Sequence, residues 1–189
     1  MKKKILKIWP TWIPGLKYHD HYLADEMNSD DVTTYFIQPH YTPAAYKDFS
    51  SQDQQFENLY NAIFLDYFLF LGKPVPYRLD KFLRSLKSLN PDVVHIFGIS
   101  NFTTVFVLIA LRMARYKNKV VFNDHSDPNE RKSGFIPWCY YKFFYFFYQL
   151  FLKNRYTIVV PDSSTVSELI ARYGKSIDAS ITESILFGL

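Results

Sequence analysis

The chain has 189 residues, 48% of them hydrophobic, which suits one ordinary folded domain and excludes a disordered chain. Its net charge of +4 is compatible with anionic lipids or phosphorylated substrates but is weak evidence for nucleic-acid binding. The single cysteine, Cys139, excludes an intramolecular disulfide and a cysteine-based zinc site, as is typical of a protein of the reducing cytoplasm.

Strand-like and helix-like segments alternate along the chain. Apolar and β-branched runs predict short strands, in chain order 4–9, 32–38, 93–98, 119–122, 157–161 and 184–187. Helical spacing of apolar residues predicts helices, in chain order 19–27, 79–89, about 101–116, 136–155 and 163–173. The apolar segment 56–71 suits either a buried helix or a strand, and Gly72, Pro74 and Pro76 break it.

Two helix boundaries follow from local chemistry. Asn90-Pro91 ends helix 79–89, because the residue before a proline avoids helical angles. Ser100 or Asn101 caps the start of the following helix, since both side chains accept hydrogen bonds from free backbone amides.

This alternation predicts an α/β fold, with a Rossmann-like, doubly wound, mainly parallel sheet and helices on both faces. No repeat or linker divides the chain, so we expect a single domain over 1–189. Ligands of such sheets bind outside the carboxyl ends of the strands. This rule directs attention to the segments 9–18, 98–101, 123–132 and 162–164.

The segment that follows strand 119–122 is the most informative one for chemistry. His125 would project into the ligand cleft, with Asp124 or Asp127 able to fix its tautomer and orientation. The alternative is a histidine that only hydrogen-bonds a turn, and the residues alone leave both interpretations open. In the charged loop that follows, Arg131 is either solvated or within reach of a phosphate on an acceptor.

The glycines and the other histidines give weaker signals. Gly98 lies between a strand and a helix cap, so backbone amides there could face an anionic group, although a plain tight turn is equally compatible. Gly15 in the first loop has the same status. His19 and His21 do not share a helix face, which makes them a poor metal pair. His95 lies inside an apolar strand and is interpreted as a core histidine.

Three sequence patterns are missing from the chain. Neither G-x-G-x-x-G nor G-x-x-x-x-G-K-[ST] is present, which disfavours an ordinary dinucleotide or nucleoside-triphosphate site. No Asp-x-Asp pair is present to anchor a metal-bound sugar diphosphate. We therefore expect neither a metal nor a resident cofactor.

The segment 138–156 is crowded with aromatic rings and contains scattered basic residues. One interpretation is a helix buried between the sheet and a partner domain. The other is an interfacial helix that lies in the lipid headgroup region, where both residue types are favoured. No apolar stretch approaches the roughly 20 residues of a membrane-spanning helix. We thus expect a cytoplasmic protein, either soluble or at the inner face of the membrane.

The segment 91–98, which reads PDVVHIFG, resembles the PDVVHxHG strand of retaining glycosyltransferases of the glycogen-synthase-like superfamily, the group 1 enzymes with the GT-B fold. The strand before His125, the strand 158–163 with its capped helix, and the closing 185–188 occur in the family's order. The resemblance covers the whole chain but only the family's N-terminal, acceptor-side half. It implies transfer of a hexosyl group from a nucleotide sugar to a glycan or lipid-linked acceptor, with retention and without a metal.

The resemblance also implies roles for particular residues. His125 corresponds to the histidine beside the transferred sugar, Gly15 to the loop that approaches the donor diphosphate, and His21 to a polar residue that opens the first helix. The donor and acceptor cleft would be lined by Gly15, His21, Gly98, Ser100, Asn101, Asp124, Asp127, Arg131 and Ser163. The nucleotide sugar itself would bind mainly to a C-terminal domain, so we expect this chain alone to be inactive.

The chain departs from the family pattern in three ways. Only Gly15 remains of the paired glycines in the first loop, and Phe97 replaces the second histidine of HxHG. The family's acidic E-x7-E segment belongs to its C-terminal domain, which we expect to be absent from this chain. The alternative function is a non-catalytic α/β binding or interaction domain in which His125 is structural. A flavodoxin-like nucleotide-binding protein ranks third, since no phosphate-binding glycine loop is present.

Overall fold

The computed structural model describes residues 2–9, 31–39, 61–70, 73–98 and 101–123. It also describes six helical positions, 135, 139, 142, 143, 146 and 150, and the backbone of the strands 156–160 and 179–181.

Seven strands form one sheet in which every neighbouring pair is parallel. The strands are β1 (Lys3–Ile8), β2 (Val32–Pro39), β3 (Ala62–Leu65), β6 (Val93–Phe97), β7 (Lys119–Asn123), β8 (Tyr156–Val160) and β9 (Ala179–Ile181), in the order β3-β2-β1-β6-β7-β8-β9. A separate antiparallel hairpin consists of β4 (Tyr67–Phe70) and β5 (Lys73–Pro76). The helices are α1 (Leu79–Leu89) and α2 (Phe102–Met113). The predicted doubly wound parallel fold is confirmed.

One face of the sheet packs against α1 and α2 to form the core. Side chains alternate between the two faces of a strand, so every second residue of β1, β6 and β7 points towards these helices. The ring of Phe82 in α1 meets Phe106 in α2 edge-on, with 5.8 Å between the centroids. Full burial of each large apolar side chain contributes roughly 1.5–3 kcal/mol. The buried members of this core are Leu6, Ile8, Ile37, Leu65, Phe82, Leu86, Val94, Ile96, Val107, Leu108, Ala110, Leu111, Val120 and Phe122.

Both helices have clear chemical boundaries. α1 ends at the predicted residue, and Asn90 adopts the left-handed conformation that closes many helices, with its N–H donating to the carbonyl of Leu86. Asn101 is the N-cap of α2, which confirms one of the two predicted caps. α2 ends at Met113, three residues before the predicted end at 116, because Arg115 takes a φ of 53° and turns the chain.

The structure decides the segment 56–71, for which the sequence left both a buried helix and a strand open. Its described part forms two short strands, β3 and β4, and no helix. β4 ends at Phe70, before the predicted break at Gly72, Pro74 and Pro76, and the two prolines lie inside the separate strand β5. They are tolerated because they occupy alternate positions of an antiparallel pair, so the N–H that each lacks would point away from β4.

Several other predicted elements can be compared with the structure. The helix predicted over 136–155 is confirmed at the positions described between 139 and 150, and β9 is a strand that the sequence did not predict. The helices 19–27 and 163–173 and the strand 184–187 lie outside the described residues. Within the described part of the chain, neither helix is long and apolar enough to cross a membrane.

Candidate functional site at the carboxyl edge of the sheet

The strand order creates a switch point between β1 and β6. The chain runs outward from β1 through β2 to β3, and then returns to the other side of β1 with β6, β7, β8 and β9. In open parallel sheets the crevice at such a point, outside the carboxyl ends, is where ligands bind. The residues that follow these two strands here are Trp9 and Gly98.

Two stacked aromatic rings lie at this switch point. The ring centroids of Trp9 and Phe97 are 4.1 Å apart and their planes are inclined by 17°. Phe97 is 5% exposed, whereas Trp9 is half-buried, so part of the indole faces the edge of the sheet. The backbone N–H of Trp9 donates to the carbonyl of Ile37 at 3.2 Å, which ties the indole to the end of β2.

A buried lysine lies behind this stack. Lys7 is 2% exposed, and its Nζ is 6.0 Å from the centroid of the Phe97 ring. His95 lies opposite Lys7 in the β1–β6 register, and its ring is 4.5 Å from that of Phe97. A cation at this distance is attracted to an aromatic face. The arrangement places a lysine side chain close to the switch point.

Gly98 makes the turn from β6 into α2. Its φ of 75° is in the left-handed region, which residues with a Cβ rarely adopt. A Cβ added at this position would also lie 2.8 Å from Nδ2 of Asn101, closer than real Cβ contacts allow. The backbone at Gly98 forms a tight turn, one of the two interpretations that the sequence left open. Both the left-handed φ and the contact with Asn101 favour glycine at this position.

Asn101 holds this turn together. Its Nδ2 donates to the carbonyls of Phe97 at 3.2 Å and Gly98 at 3.0 Å, and its Oδ1 accepts from the N–H of Thr104 at 2.8 Å. The Thr104 hydroxyl donates to the Gly98 carbonyl at 2.7 Å. Both the nitrogen and the oxygen of the Asn101 side-chain amide are hydrogen-bonded to backbone groups of this turn. Asn101 therefore fixes the backbone that forms the edge of the cleft.

Two of the predicted cleft residues, Gly98 and Asn101, are brought together at this edge. The other eight, Gly15, His21, Ser100, Asp124, His125, Asp127, Arg131 and Ser163, lie outside the described residues. The strands that precede several of them do end at this edge: Asn123 of β7 is paired with Phe97, and Val159 of β8 with Asn123.

Sequence reasoning missed three polar or aromatic features of the site. It did not single out the Trp9–Phe97 stack, the buried Lys7, or Gln38 near the end of β2. Gln38 is 1% exposed, and its Nε2 has no hydrogen-bond partner among the described residues. One sequence signal could have pointed to this site. Each of three predicted strands has a polar residue near its end, namely Lys7, Gln38 and His95.

Comparison with known protein families gives a match over most of the chain. The model of a family described as Glycosyltransferase Family 4 matches residues 15–182. Comparison with curated protein sequences gave no match.

Proposed function

The chain belongs to glycosyltransferase family 4, and we propose that it forms the acceptor-binding side of an enzyme that transfers a hexosyl group from a nucleotide sugar to a glycan or lipid-linked acceptor with retention. The family match over 15–182 carries this proposal. The position of the switch point, next to the family-like strand β6, supports it.

The chemistry of the edge suits a carbohydrate. Binding sites for small molecules combine apolar and aromatic walls with a few polar groups that fix orientation. The half-buried indole of Trp9 offers an aromatic plane to the apolar face of a sugar ring.

We assign the reacting groups by the family resemblance. His125 orients the transferred sugar, with Asp124 or Asp127 fixing the imidazole, and Gly15 approaches the donor diphosphate. The nucleotide is held by a facing C-terminal domain, in keeping with the missing glycine-rich phosphate loops. Transfer proceeds without a metal and without a resident cofactor.

A membrane-proximal acceptor is supported by the helical positions between 135 and 150. The exposed side chains Phe135, Phe143, Phe146 and Leu150 recur at intervals that place them within one helix face. An apolar face of this kind, in a segment with scattered basic residues, suits the headgroup region of a bilayer. We therefore place the segment 138–156 at the inner face of the cytoplasmic membrane.

The test is donor hydrolysis and sugar transfer by the full-length enzyme with a panel of nucleotide sugars. Wild type is compared with His125→Ala and with a matched surface control, Lys87→Ala, which lies on the exposed side of α1. General acid–base and orienting groups typically contribute about 10²–10⁴-fold to rate. We expect a loss of that size for His125→Ala, with an unchanged circular dichroism spectrum, and no loss for the control.

Two outcomes would contradict parts of the proposal. Unchanged turnover in His125→Ala would make that histidine structural. A correctly folded full-length enzyme without activity towards any donor would instead favour a non-catalytic binding domain.

A further inference from the structure

The hairpin of β4 and β5 exposes an apolar surface that sugar transfer does not use. Three consecutive residues of β4, Phe68, Leu69 and Phe70, are 50%, 55% and 47% exposed. Tyr77, just after β5, is 55% exposed and lies against Phe68, with 6.4 Å between the ring centroids. We call Phe68, Leu69, Phe70 and Lys73 the hairpin tip.

Both faces of the hairpin tip are apolar. Side chains alternate along a strand, so Phe68 and Phe70 point to one face and Leu69 to the other. All three are about half exposed, so both faces present apolar surface to solvent beside the hairpin's own contacts with α2. Runs of three or more exposed apolar residues are unfavourable in water and indicate a binding function. An occupant of this tip therefore meets exposed apolar side chains that point in two directions.

The hairpin is held against the start of α2. The ring of Phe70 meets Phe102 edge-on at 5.3 Å, and the Thr103 hydroxyl donates to the carbonyl of Pro74 at 3.4 Å. Phe102 follows the cap residue Asn101, so the hairpin lies beside the carboxyl edge that carries the candidate site. Pro74 and Pro76 lack an N–H on the outer side of β5, which disfavours the addition of another protein strand there.

The part of the chain that contains the hairpin carries a net positive charge. The segment 61–90 contains five basic and two acidic residues, a net charge of +3 out of +4 for the whole chain. Asp66 and Asp80 are both paired with Arg78, at 3.8 and 2.9 Å. The hydrogen bond from Arg78 holds the pKa of Asp80 well below its usual range, so this carboxylate stays ionised and paired. Lys73, next to the turn, is exposed.

We propose that the hairpin tip inserts into the headgroup region of an anionic lipid bilayer. A fluid bilayer can contact exposed side chains that point in two directions, whereas the flat surface of a protein partner would cover only one of these directions. Aromatic rings and lysines are both favoured at a lipid headgroup boundary, and anionic lipids attract the local positive charge. Such docking goes beyond sugar transfer, and it would hold the carboxyl edge of the sheet beside the membrane.

Vesicle binding tests the proposal. Co-sedimentation of the chain is compared between pure phosphatidylcholine vesicles and vesicles in which about a third of the lipid is phosphatidylglycerol. We expect the combined change Phe68→Ser and Leu69→Ser to weaken binding to anionic vesicles about tenfold, because two apolar side chains no longer enter the lipid. Lys73→Ala should weaken it about fivefold, and only with anionic lipid.

A matched control comes from the other end of α2. Met113 is 58% exposed, as apolar as the tip residues, but lies at the opposite end of the helix from Phe102. Met113→Ser should leave vesicle binding unchanged. Circular dichroism of each variant shows that the fold is kept.

A second measurement reports the position of the tip directly. In a Cys139→Ser background, an environment-sensitive fluorophore is attached to Leu69→Cys or, as a control, to Ser88→Cys on the exposed side of α1. We expect a blue shift of the emission with anionic vesicles for the label at 69 and none for the label at 88.

Three outcomes would overturn the proposal. The wild-type chain could fail to bind anionic vesicles, or the label at 69 could stay in water while the chain binds. The third outcome is that the tip variants abolish self-association of the chain without changing vesicle binding. Donor hydrolysis by the full-length enzyme needs no vesicles. A failure of membrane docking is therefore distinguishable from a failure of the transferase proposal.

Discussion

The two ends of strand β6 are stabilised in opposite ways. At the amino end, Asp92 bonds to a distant part of the chain, since its N–H donates to the carbonyl of Lys4 and its Oδ2 accepts from the Lys4 N–H, both at 2.8 Å. The carbonyl of Pro91 accepts from Tyr116 and Asn118, at 3.0 Å each.

At the carboxyl end the hydrogen bonds are local. The side chains of Asn101 and Thr104 bond to backbone groups within the segment 97–104, and the Phe97 ring stacks on Trp9, which follows β1. In the segment 91–98, which resembles the glycosyltransferase strand, the first residues thus stabilise the fold and the last residues form part of the candidate site. Changes at the amino end should lower stability, whereas changes at the carboxyl end should also alter activity.

The largest effect is expected for Phe97→Ala. Loss of a ring that is 5% exposed and stacks on Trp9 should lower the free energy of unfolding by about 3–5 kcal/mol. Phe97→Leu keeps most of the volume and should cost less, while donor hydrolysis still falls because Trp9 loses its stacking partner. Urea denaturation and activity assays measure both. Equal stability losses in the two variants would contradict the packing argument.

Gly98→Ala should have the next largest effect. A left-handed conformation costs a residue with a Cβ about 1–2 kcal/mol, and the added methyl group would also displace Asn101. Gly98→Asn provides the comparison, because asparagine tolerates this conformation better. If both variants unfold at the wild-type denaturant midpoint, the turn is not strained by a side chain.

Asp92→Ala tests the amino end. Removing the acceptor of the Lys4 N–H should cost about 1 kcal/mol of stability, and activity of the folded enzyme should be unchanged. Asp92→Asn keeps an acceptor oxygen and should recover most of that loss. An activity defect in folded Asp92→Ala would remove the distinction between the two ends.

Tyr116→Phe should have the smallest effect at neutral pH, a loss of about 0.5 kcal/mol from its hydrogen bond to Pro91. Burial, and then the charge of Asp92, raise the pKa of the Tyr116 hydroxyl. The unfolded chain therefore ionises first, and this residue's contribution is lost as pH rises above about 10. Unfolding measured across that range should show a shallower alkaline decline for Tyr116→Phe than for wild type.

Much of the fold could be predicted from local patterns. The strands β1, β2, β6 and β7 and the helix α1 begin and end within one residue of their predicted limits, because apolar periodicity and a proline or cap mark each of them. The hairpin was missed because continuous apolar character does not distinguish a strand from a buried helix. Of the candidate site, Gly98 and Asn101 were recognised from their place between a strand and a helix.

The sequence by itself therefore determined the alternation of strands and helices, the turn at Gly98 and the family resemblance, since each depends on residues close together in the chain. Only the tertiary structure decided that Lys7 is buried, that Trp9 stacks on Phe97, and that the β4–β5 hairpin lies against α2. These features join segments tens of residues apart, and the contacts of Lys7 and Trp9 with Phe97 exist because the strand order places β1 beside β6. Periodicity describes which face of an element is apolar, whereas only the order of strands in the sheet decides which elements become neighbours.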